Sequence, residues 1–600
     1  MHKKNKKNKK IFWILLAIAI FLSLLIGKVS YTMSVQRKVP SLVRVNQNLA
    51  VRGNIFSSDN FKIARSIKLF KASINTKSLD PDKKELFIKL FSIYSHIPEQ
   101  KIREKINSQK QKGYLVLSNK IDQRAAKDLK ELAVKLRSLS VFQRDDTNNI
   151  LYGLDIHERG EQRQYPYKDT LTPVIGFMRT NNNSGKQRVN GIKGLEKQFN
   201  KELNDMTNGI LKGERDIRNY IIFNKNSQIT QREDGQDIHL TIPLRLQKNI
   251  ELMLDRYKEK LGAYEIIASV MDSKTGKILS LASSNRYDPT KLKQSDIPHT
   301  NVNAIEYNFE PGSVIKPIAL ALAIDLNKVN DTELFFAYNK GKKNSKGEYP
   351  RGKFKVGKWR IGDDHNFKKN YLNLEDIFIY SSNIGTATIA NRLSAEEFYY
   401  GYRDFGLSLP TGIDLPYEKR GIIHKLYQYR AGEKKGNLNI FKTTDSYGQG
   451  ITTTFIQVMK AYSTFNNDGK IVTPYIVSRD NVPPPKQIIS KKTADKIKYL
   501  LHRTVEKGTG SKAQIEGLTI GGKTGTANIV EDGKYQRKYM SSFFGYVNDK
   551  NNSYTIGVTV NDPISKGKYW YYYYASHSAV PVFKEVTKIL LKLNYLKINK

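Results

Sequence analysis

The sequence predicts an α+β protein in three parts. These are an N-terminal transmembrane helix, a polar N-terminal module, and a C-terminal domain whose antiparallel sheet is flanked by helices and joined by an all-helical subregion. Three observations predict it. An uncharged apolar run fills residues 11–27. Two paired runs of β-formers around turn residues, "YEIIASVMDSKTGKILSLAS" and "SSFFGYVNDKNNSYTIGVTVND", read as hairpins at the two ends of the C-terminal half. Apolar residues at helical spacing flank both hairpins, which is the arrangement of a sheet covered by helices.

The first ten residues, "MHKKNKKNKK", carry six lysines, and "IFWILLAIAIFLSLLIG" follows without a charge. At ~1.5 Å per residue this run nearly crosses a ~30 Å hydrocarbon core, and "KVSYTMSV" can extend it. Few cations follow it, so the positive-inside rule keeps residues 1–10 in the cytoplasm as a tail. Residues 11–30 become the anchor, and everything from about Ser30 onward lies outside the cytoplasmic membrane. A cleaved signal peptide is the rival reading, and no A-x-A-like site follows the run to support it.

Residues 40–235 are polar and Lys-rich, without a uniform period, and are read as one module. Composition shifts near "DGQDIHLTIPLRLQKNIELMLDRYKEKLG", so residues 236–600 form the second domain. There Leu246, Ile250, Leu254, Tyr257 and Leu261 recur at spacings of three and four, an amphipathic helix. The first hairpin turns at Asp272 to Lys277 and the second at "NDKNNS". Val582, Phe583, Val586, Ile589, Leu590 and Leu593 mark the apolar face of a last helix.

Lys and Arg total 100 against 57 Asp and Glu, a net charge of +43. Such a balance fits nucleic acid, an anionic membrane or an acidic polymer. The basic residues are spread along the chain, and no RNP motif or zinc finger accompanies them, so no nucleic-acid partner is expected. There is no cysteine, which excludes disulfides and thiol chemistry. The nine histidines are scattered without metal-ligand spacing, so no metal and no cofactor is expected. His365 in "GDDHNF" reads as a loop residue.

The stretch "NFEPGSVIKPIALALAI", residues 308–324, sets Ser313 three residues ahead of Lys316 where an apolar helix begins. Residues three apart share a helix face, so the amine can approach the hydroxyl. A serine hydroxyl is a poor nucleophile until a base takes its proton, and a lysine is that base only when burial or other cations depress its pKa. Pro311 and Gly312 fit a sharp turn into the helix, and Pro317 falls in the first turn, where a missing N–H costs least. Alone, Ser-x-x-Lys is unspecific. Two later segments add to it. "IYSSNIGTATIA" places Ser381 and Asn383 ahead of a small-residue helix, and "GGKTGTANI" supplies Lys523, Thr524, Gly525 and Thr526. In this order and spacing the three form the motif set of penicillin-recognising serine acyltransferases.

On these motifs the sequence resembles the class B high-molecular-mass penicillin-binding proteins. "RGNIF", "RQYPYKDTLTPVIGF" and "GIKGLEKQFNKEL" look like patches of that family's elongated, non-catalytic dimerisation or pedestal module. "FGLSLPTGIDLPYE" and "YGQGITTTFIQVMKAYSTFNNDGK" look like its transpeptidase segments. No glycosyltransferase-like block precedes the module, unlike class A members. "FEPGSVIKP" looks more like the division-specific FtsI type than the elongation-specific type. The resemblance implies a penicillin-binding transpeptidase domain that cross-links peptidoglycan through an acyl-enzyme. Ser313 would be the nucleophile and Lys316 its base. Ser381 would relay protons and Asn383 would bond the donor amide. Lys523 would hold the substrate's terminal carboxylate, Thr524 and Thr526 would add hydroxyl donors, and Gly525 would let the strand lie close to the substrate, with backbone N–H groups of Ser313 and Thr526 as the oxyanion hole. It also implies D-Ala-D-Ala stem peptides as donors and β-lactams as covalent inhibitors. The expected partners are an FtsW/RodA-like membrane glycosyltransferase and other divisome proteins.

Two departures stand out. After "RGNIF" this chain reads "SSDNFKIA" where the family has an acidic-Arg-Asn-Gly run, so a rebuilt turn is expected. Near the C-terminus "KYWYYYYASHSAVPVF" replaces a Gly pair after a tyrosine, and packing is the simpler reading of those rings. Ser382 in the middle of the second motif argues against a class A β-lactamase. An elongation-specific transpeptidase, a D,D-carboxypeptidase, a β-lactam hydrolase, and a non-enzymatic scaffold or antibiotic sensor are the alternatives. The intact motif residues argue against the last.

Overall fold

The computed structural model describes residues 2–34, 43–143, 153–181, 188–216, 220–336, 341–531 and 533–598. Residues 1, 40 and 600, at ends of the expected tail, module and C-terminal domain, lie outside them. The chain divides into two compact units.

The first unit comprises Met1–Asn48 and Asn208–Arg232. Helix α1, His2–Ser34, extends past both ends of the apolar run. Its Asn8–Ser34 segment is long and apolar enough to cross a membrane. In the same unit Val43–Asn48 pairs antiparallel with Gly209–Arg215, which also pairs with Ile221–Ile222 and Gln228–Thr230.

The second unit comprises Leu49–Thr207 and Glu233–Lys600. In its N-terminal part the long strand Lys62–Asn75 pairs antiparallel with Leu154–Gln164 and with Tyr114–Ile121. Helices Lys84–Ser95 and Gln123–Ser138 bury Phe87, Phe91, Leu129 and Leu136 in one core with residues of these strands. The three patches that resemble family signatures converge on one carboxylate. Glu196 receives the Arg52 guanidinium at 2.8 Å, the Arg163 Nε at 2.7 Å and the Tyr165 hydroxyl at 3.2 Å. Burial alone would push Glu196 up; the two guanidiniums more than offset it and hold the group below the usual carboxylate range. A buried ion cluster of this kind costs desolvation, but losing one member strands the others. The "SSDNFKIA" turn is tight, with Asn60 in the left-handed region at φ 62°. Its Asp59 accepts from the Leu244 amide at 2.9 Å and so ties the module to the next helix.

That helix, α2, spans Leu244–Leu261, as the periodicity predicted. The sheet of the C-terminal domain contains β1 (Glu265–Asp272), β2 (Ile278–Ser283), β3 (Thr519–Glu531), β4 (Lys534–Asn548) and β5 (Ser553–Asn561). Its order is β2-β1-β5-β4-β3, antiparallel throughout, and both predicted hairpins are present. Side chains alternate across the sheet. Phe543 lies in the core formed with α2 and the last helix, Ala579–Lys592, whose Val582, Phe583, Val586 and Leu590 are fully buried. Its neighbour Phe544 lies in the other core, with Phe455, Met459 and Tyr462. The helical subregion packs on that second side; it is not all-helical, since it also carries short antiparallel pairs such as Lys353–Val356 with Trp359–Gly362. At its centre α3, Lys316–Asp325, buries every residue from Lys316 to Ala323, as its uninterrupted apolar run after Lys316 requires.

Candidate active site

Ser313 sits on a short 3-10 turn, Gly312–Ile315, that runs into α3 at Lys316. Pro317 occupies the first turn of α3. Gly312 has φ 56°, where a β-carbon is disfavoured. Three contacts fix the turn. The Gly312 amide donates to the Gly448 carbonyl at 3.1 Å. The Tyr462 hydroxyl donates to the Val314 carbonyl at 2.6 Å. Gly525 lets β3 press against the turn, since a β-carbon there would stand 2.8 Å from Val314 Cγ1 and 3.1 Å from the Pro311 carbonyl.

Lys316 is 1% exposed, and its amine donates to Ser381, to the carbonyl at 2.5 Å and to Oγ at 3.2 Å. The sequence spacing anticipated an approach to Ser313. The amine bonds Ser381, which adopts φ 56° and presents both oxygens to it. Burial pushes Lys316 down to about 8, against the opposing pull of Asp363. Lys523, fully buried, donates to the same Ser381 hydroxyl at 2.7 Å. Burial, with Lys316 nearby, pushes Lys523 well below the ordinary lysine range. One hydroxyl is thus shared by two buried amines.

The segment after Ser381 is held by a residue outside the three motifs. Asp363, 5% exposed, accepts from Ser382 Oγ at 3.1 Å, the Asn383 amide at 2.5 Å and the Ile384 amide at 3.2 Å. The two amides are the first N–H groups of helix α4, Asn383–Ala390, where an anion is favoured. The Asn383 side chain donates to the Gly362 carbonyl at 3.0 Å. No sequence signal marked Asp363, an acid of "GDDHNF" 20 residues ahead of its partner. His365 lies in a loop against Phe367 and Tyr380, and burial lowers its pKa.

On β3, Lys523 to Thr526 pair with Phe544 to Ser541 of β4. Thr524 Oγ1 bonds Thr509 Oγ1 at 2.6 Å, and Thr526 Oγ1 accepts from the Ala575 amide at 3.4 Å. That amide ends the aromatic run 569–574, whose Tyr573 stacks on Tyr539 while Trp570 stays 49% exposed. Some of these rings therefore pack and others face solvent. The motif residues lie on three neighbouring elements: the Ser313 turn with α3, the start of α4 with the Ser381 that precedes it, and β3.

The geometry offers a serine on a turn that leads into a buried amine, a second buried amine on a shared hydroxyl, and backbone N–H groups at a helix start. Such a set supports acyl transfer through a covalent ester. The comparisons agree with that chemistry. Residues 266–588 match the penicillin-binding protein transpeptidase domain, and residues 47–240 match the penicillin-binding protein dimerisation domain. Stage V sporulation protein D of Bacillus subtilis is 30% identical over 485 residues, covering 78% of this chain and 67% of that protein. The probable peptidoglycan D,D-transpeptidase PenA of Neisseria meningitidis is 26% identical over 595 residues, covering 97% and 92%. The crystal structure of penicillin-binding protein 2X from Streptococcus thermophilus superposes with a TM-score of 0.70 at 19% identity, over 92% of this chain and 81% of that one.

Proposed function

Because the chain belongs to the class B penicillin-binding proteins, we propose that it is a serine D,D-transpeptidase that cross-links peptidoglycan at the division septum. The observation that carries this reading is the Ser381 hydroxyl shared by Lys316 and Lys523, next to the turn that bears Ser313.

In the proposed reaction Ser313 Oγ attacks the carbonyl of the penultimate D-Ala. The Oγ–C bond forms, and the C–N bond to the terminal D-Ala breaks. Lys316, neutral above about pH 8, takes the hydroxyl proton. Ser381 passes a proton to the leaving amine. The amide N–H groups of Ser313 and Thr526 hold the developing oxyanion. Asn383 bonds the donor amide, and Lys523 with Thr524 and Thr526 binds the terminal carboxylate, while Gly525 lets the substrate lie close. An amine of a second stem then attacks the ester, the new amide forms, and Ser313 regains its proton. β-Lactams acylate Ser313 in the same way but leave no departing amine.

Helix α1 anchors the chain, with residues 1–10 kept cytoplasmic by their lysines and the catalytic domain outside. The module over residues 40–235 and the anchor would contact a membrane glycosyltransferase of the FtsW/RodA kind and other divisome proteins. The septal assignment rests on "FEPGSVIKP".

The test is fluorescent-penicillin labelling of the full-length protein in detergent, wild type beside Ser313→Ala, with decay followed over hours. A lasting label absent from the variant is expected. Rapid loss of label would assign a β-lactam hydrolase instead, and no label on folded wild type would overturn the enzymatic reading.

A further inference from the structure

Beside the second motif lies an open groove of about 700 Å³, a size within the range of small-ligand sites. One wall is the hairpin of Lys353–Val356 and Trp359–Gly362, and the other is the loop from Ala431 to Asn439 with the start of the next helix. We propose that this groove binds an N-acetylated amino-sugar ring of the glycan strand that carries the donor stem peptide. The proposal deepens the transpeptidase reading and rests on it.

The lining has the chemistry of a sugar site. Trp359 is 55% exposed, an indole face open to solvent, with the Lys358 amine 5.7 Å from the ring centroid. An electron-rich aromatic face attracts the polarised C–H groups of a pyranose. Asn437 lines the groove and is exposed, and a side-chain amide offers a donor pair and an acceptor to hydroxyl or acetamido groups. Gly357 and Gly436 line it too, and a β-carbon at either would meet no described atom within 4 Å, so their backbone is open to a ligand. Trp359 and Leu438 are the exposed large apolar side chains of this lining, a surface far short of the about 800 Å² on each side that a protein partner needs.

The groove is built rigidly and joined to the site. Asn439 donates to the carbonyls of Gln428, Tyr429 and Ala431 at 2.8 to 3.0 Å, and its own oxygen accepts from the Lys442 amide at 2.9 Å. Phe354 and Val356 of the hairpin pack on Ile384 and Ala387 of α4, with Ile440 of the opposite wall against the same cluster. Both walls therefore stand on the helix that begins at Asn383. The hairpin's last residue, Gly362, accepts from the Asn383 side chain.

The spacing suits a stem peptide. Trp359 lies three residues before Gly362, roughly 10 Å at ~3.3 Å per residue. A donor whose amide is bonded by Asn383 and whose chain continues away from Ser313 in extended form covers that distance in about three residues. The amide link between stem and sugar falls there.

The test uses the full-length protein in detergent. Ser313→Ala is titrated with a disaccharide-pentapeptide and with the free pentapeptide, alone and combined with Trp359→Ala or Asn437→Ala. The expected result is about tenfold tighter binding of the sugar-bearing ligand, a ratio that collapses towards one in both combined variants. Equal affinities for the two ligands, or an unchanged ratio in the variants, would overturn the proposal. Penicillin labelling of Trp359→Ala and Asn437→Ala with Ser313 intact should match wild type within about twofold, because penicillin carries no sugar; this separates a folding defect from a lost sugar contact. If wild type fails to label, the transpeptidase reading fails, and the binding ratio still decides the groove.

Discussion

Lys523 donates to the Ser381 hydroxyl over 2.7 Å from complete burial. Ser381 is held for this at φ 56°, a region that costs a non-glycine residue ~1 kcal/mol or more. Ser381→Ala leaves two buried amines short of an acceptor and removes the proposed proton relay. It is expected to lower the second-order rate of penicillin acylation by about 10²- to 10⁴-fold and to destabilise the fold by ~1–3 kcal/mol. Ser381→Gly should acylate as poorly but be more stable than the alanine variant by ~1 kcal/mol, because it relieves the left-handed strain. Urea unfolding of the two variants side by side checks the second point, and a glycine variant less stable than the alanine one would contradict the strain argument.

Lys316 supplies a pH profile. Burial pushes it down to about 8, so the neutral, proton-accepting form grows as pH rises to that value. Acylation should climb nearly tenfold per unit below about pH 8 and level off above it. Lys523 stands beside it and is depressed by burial and by Lys316, so the observed midpoint belongs to the pair. The linkage sign follows from the depression. Between about 8 and the ordinary lysine value of 10.5 the folded state binds fewer protons than the unfolded chain. Stability therefore rises with pH across that window, and the full cost of burying the amine stands below about 8. A flat rate between about pH 6 and 9 would remove Lys316 as the base.

Asp363 is expected to tune that midpoint. Its carboxylate raises Lys316 and caps the first amides of α4. Asp363→Asn keeps the shape and removes the charge. The acid limb of the acylation profile should therefore move to lower pH, and stability should fall by ~1 kcal/mol from the weakened cap. The plateau rate should fall less than in Ser381→Ala, because Asp363 positions Asn383 and does not touch the reacting atoms. An unmoved midpoint would show that the two groups are not coupled.

What was legible in the sequence has a physical pattern. Ser313 with Lys316, Ser381 with Asn383, and Lys523 to Thr526 are each local spacings, and local spacing survives into helix turns and strands. The hairpins of β1–β2 and β4–β5 were legible because β-formers flank turn residues. Asp363 and the contacts made by Gly448 and Tyr462 were not, because their partners in the site lie 20 to 148 positions away and only tertiary packing joins them. The N-terminal module gave no uniform period. Its strand Lys62–Asn75 carries buried residues on consecutive positions, so alternation was lost to pairing on both edges and packing on both faces. The convergence of Arg52 and Arg163 on Glu196 was likewise invisible, since charged residues in a basic chain read as surface.

The pair of His424 and Asp445 gives a second pH effect, separate from the proposed chemistry. His424 Nδ1 lies 2.9 Å from the Asp445 carboxylate, which also accepts from the Tyr429 hydroxyl. Asp445 stands just ahead of the loop that meets the Ser313 turn, where the Gly448 carbonyl accepts from the Gly312 amide and the Gly450 amide donates to Glu310 at 3.1 Å. The bond to Asp445 raises His424 above its ordinary 6.5, and partial burial opposes it. Burial pushes Asp445 up, with His424 and Tyr429 opposing. A histidine with a raised folded pKa contributes stability that is fully present below 6.5 and is lost as pH rises through its folded midpoint. On the acid side the contribution ends when Asp445 takes a proton. His424→Gln should therefore cost most stability in mildly acidic buffer, and the difference from wild type should shrink towards alkaline pH. Urea midpoints of both proteins between about pH 5 and 9 check this. A difference that stays constant across the range would mean that His424 acts through packing on Phe441, 4.5 Å between ring centroids, and not through its charge.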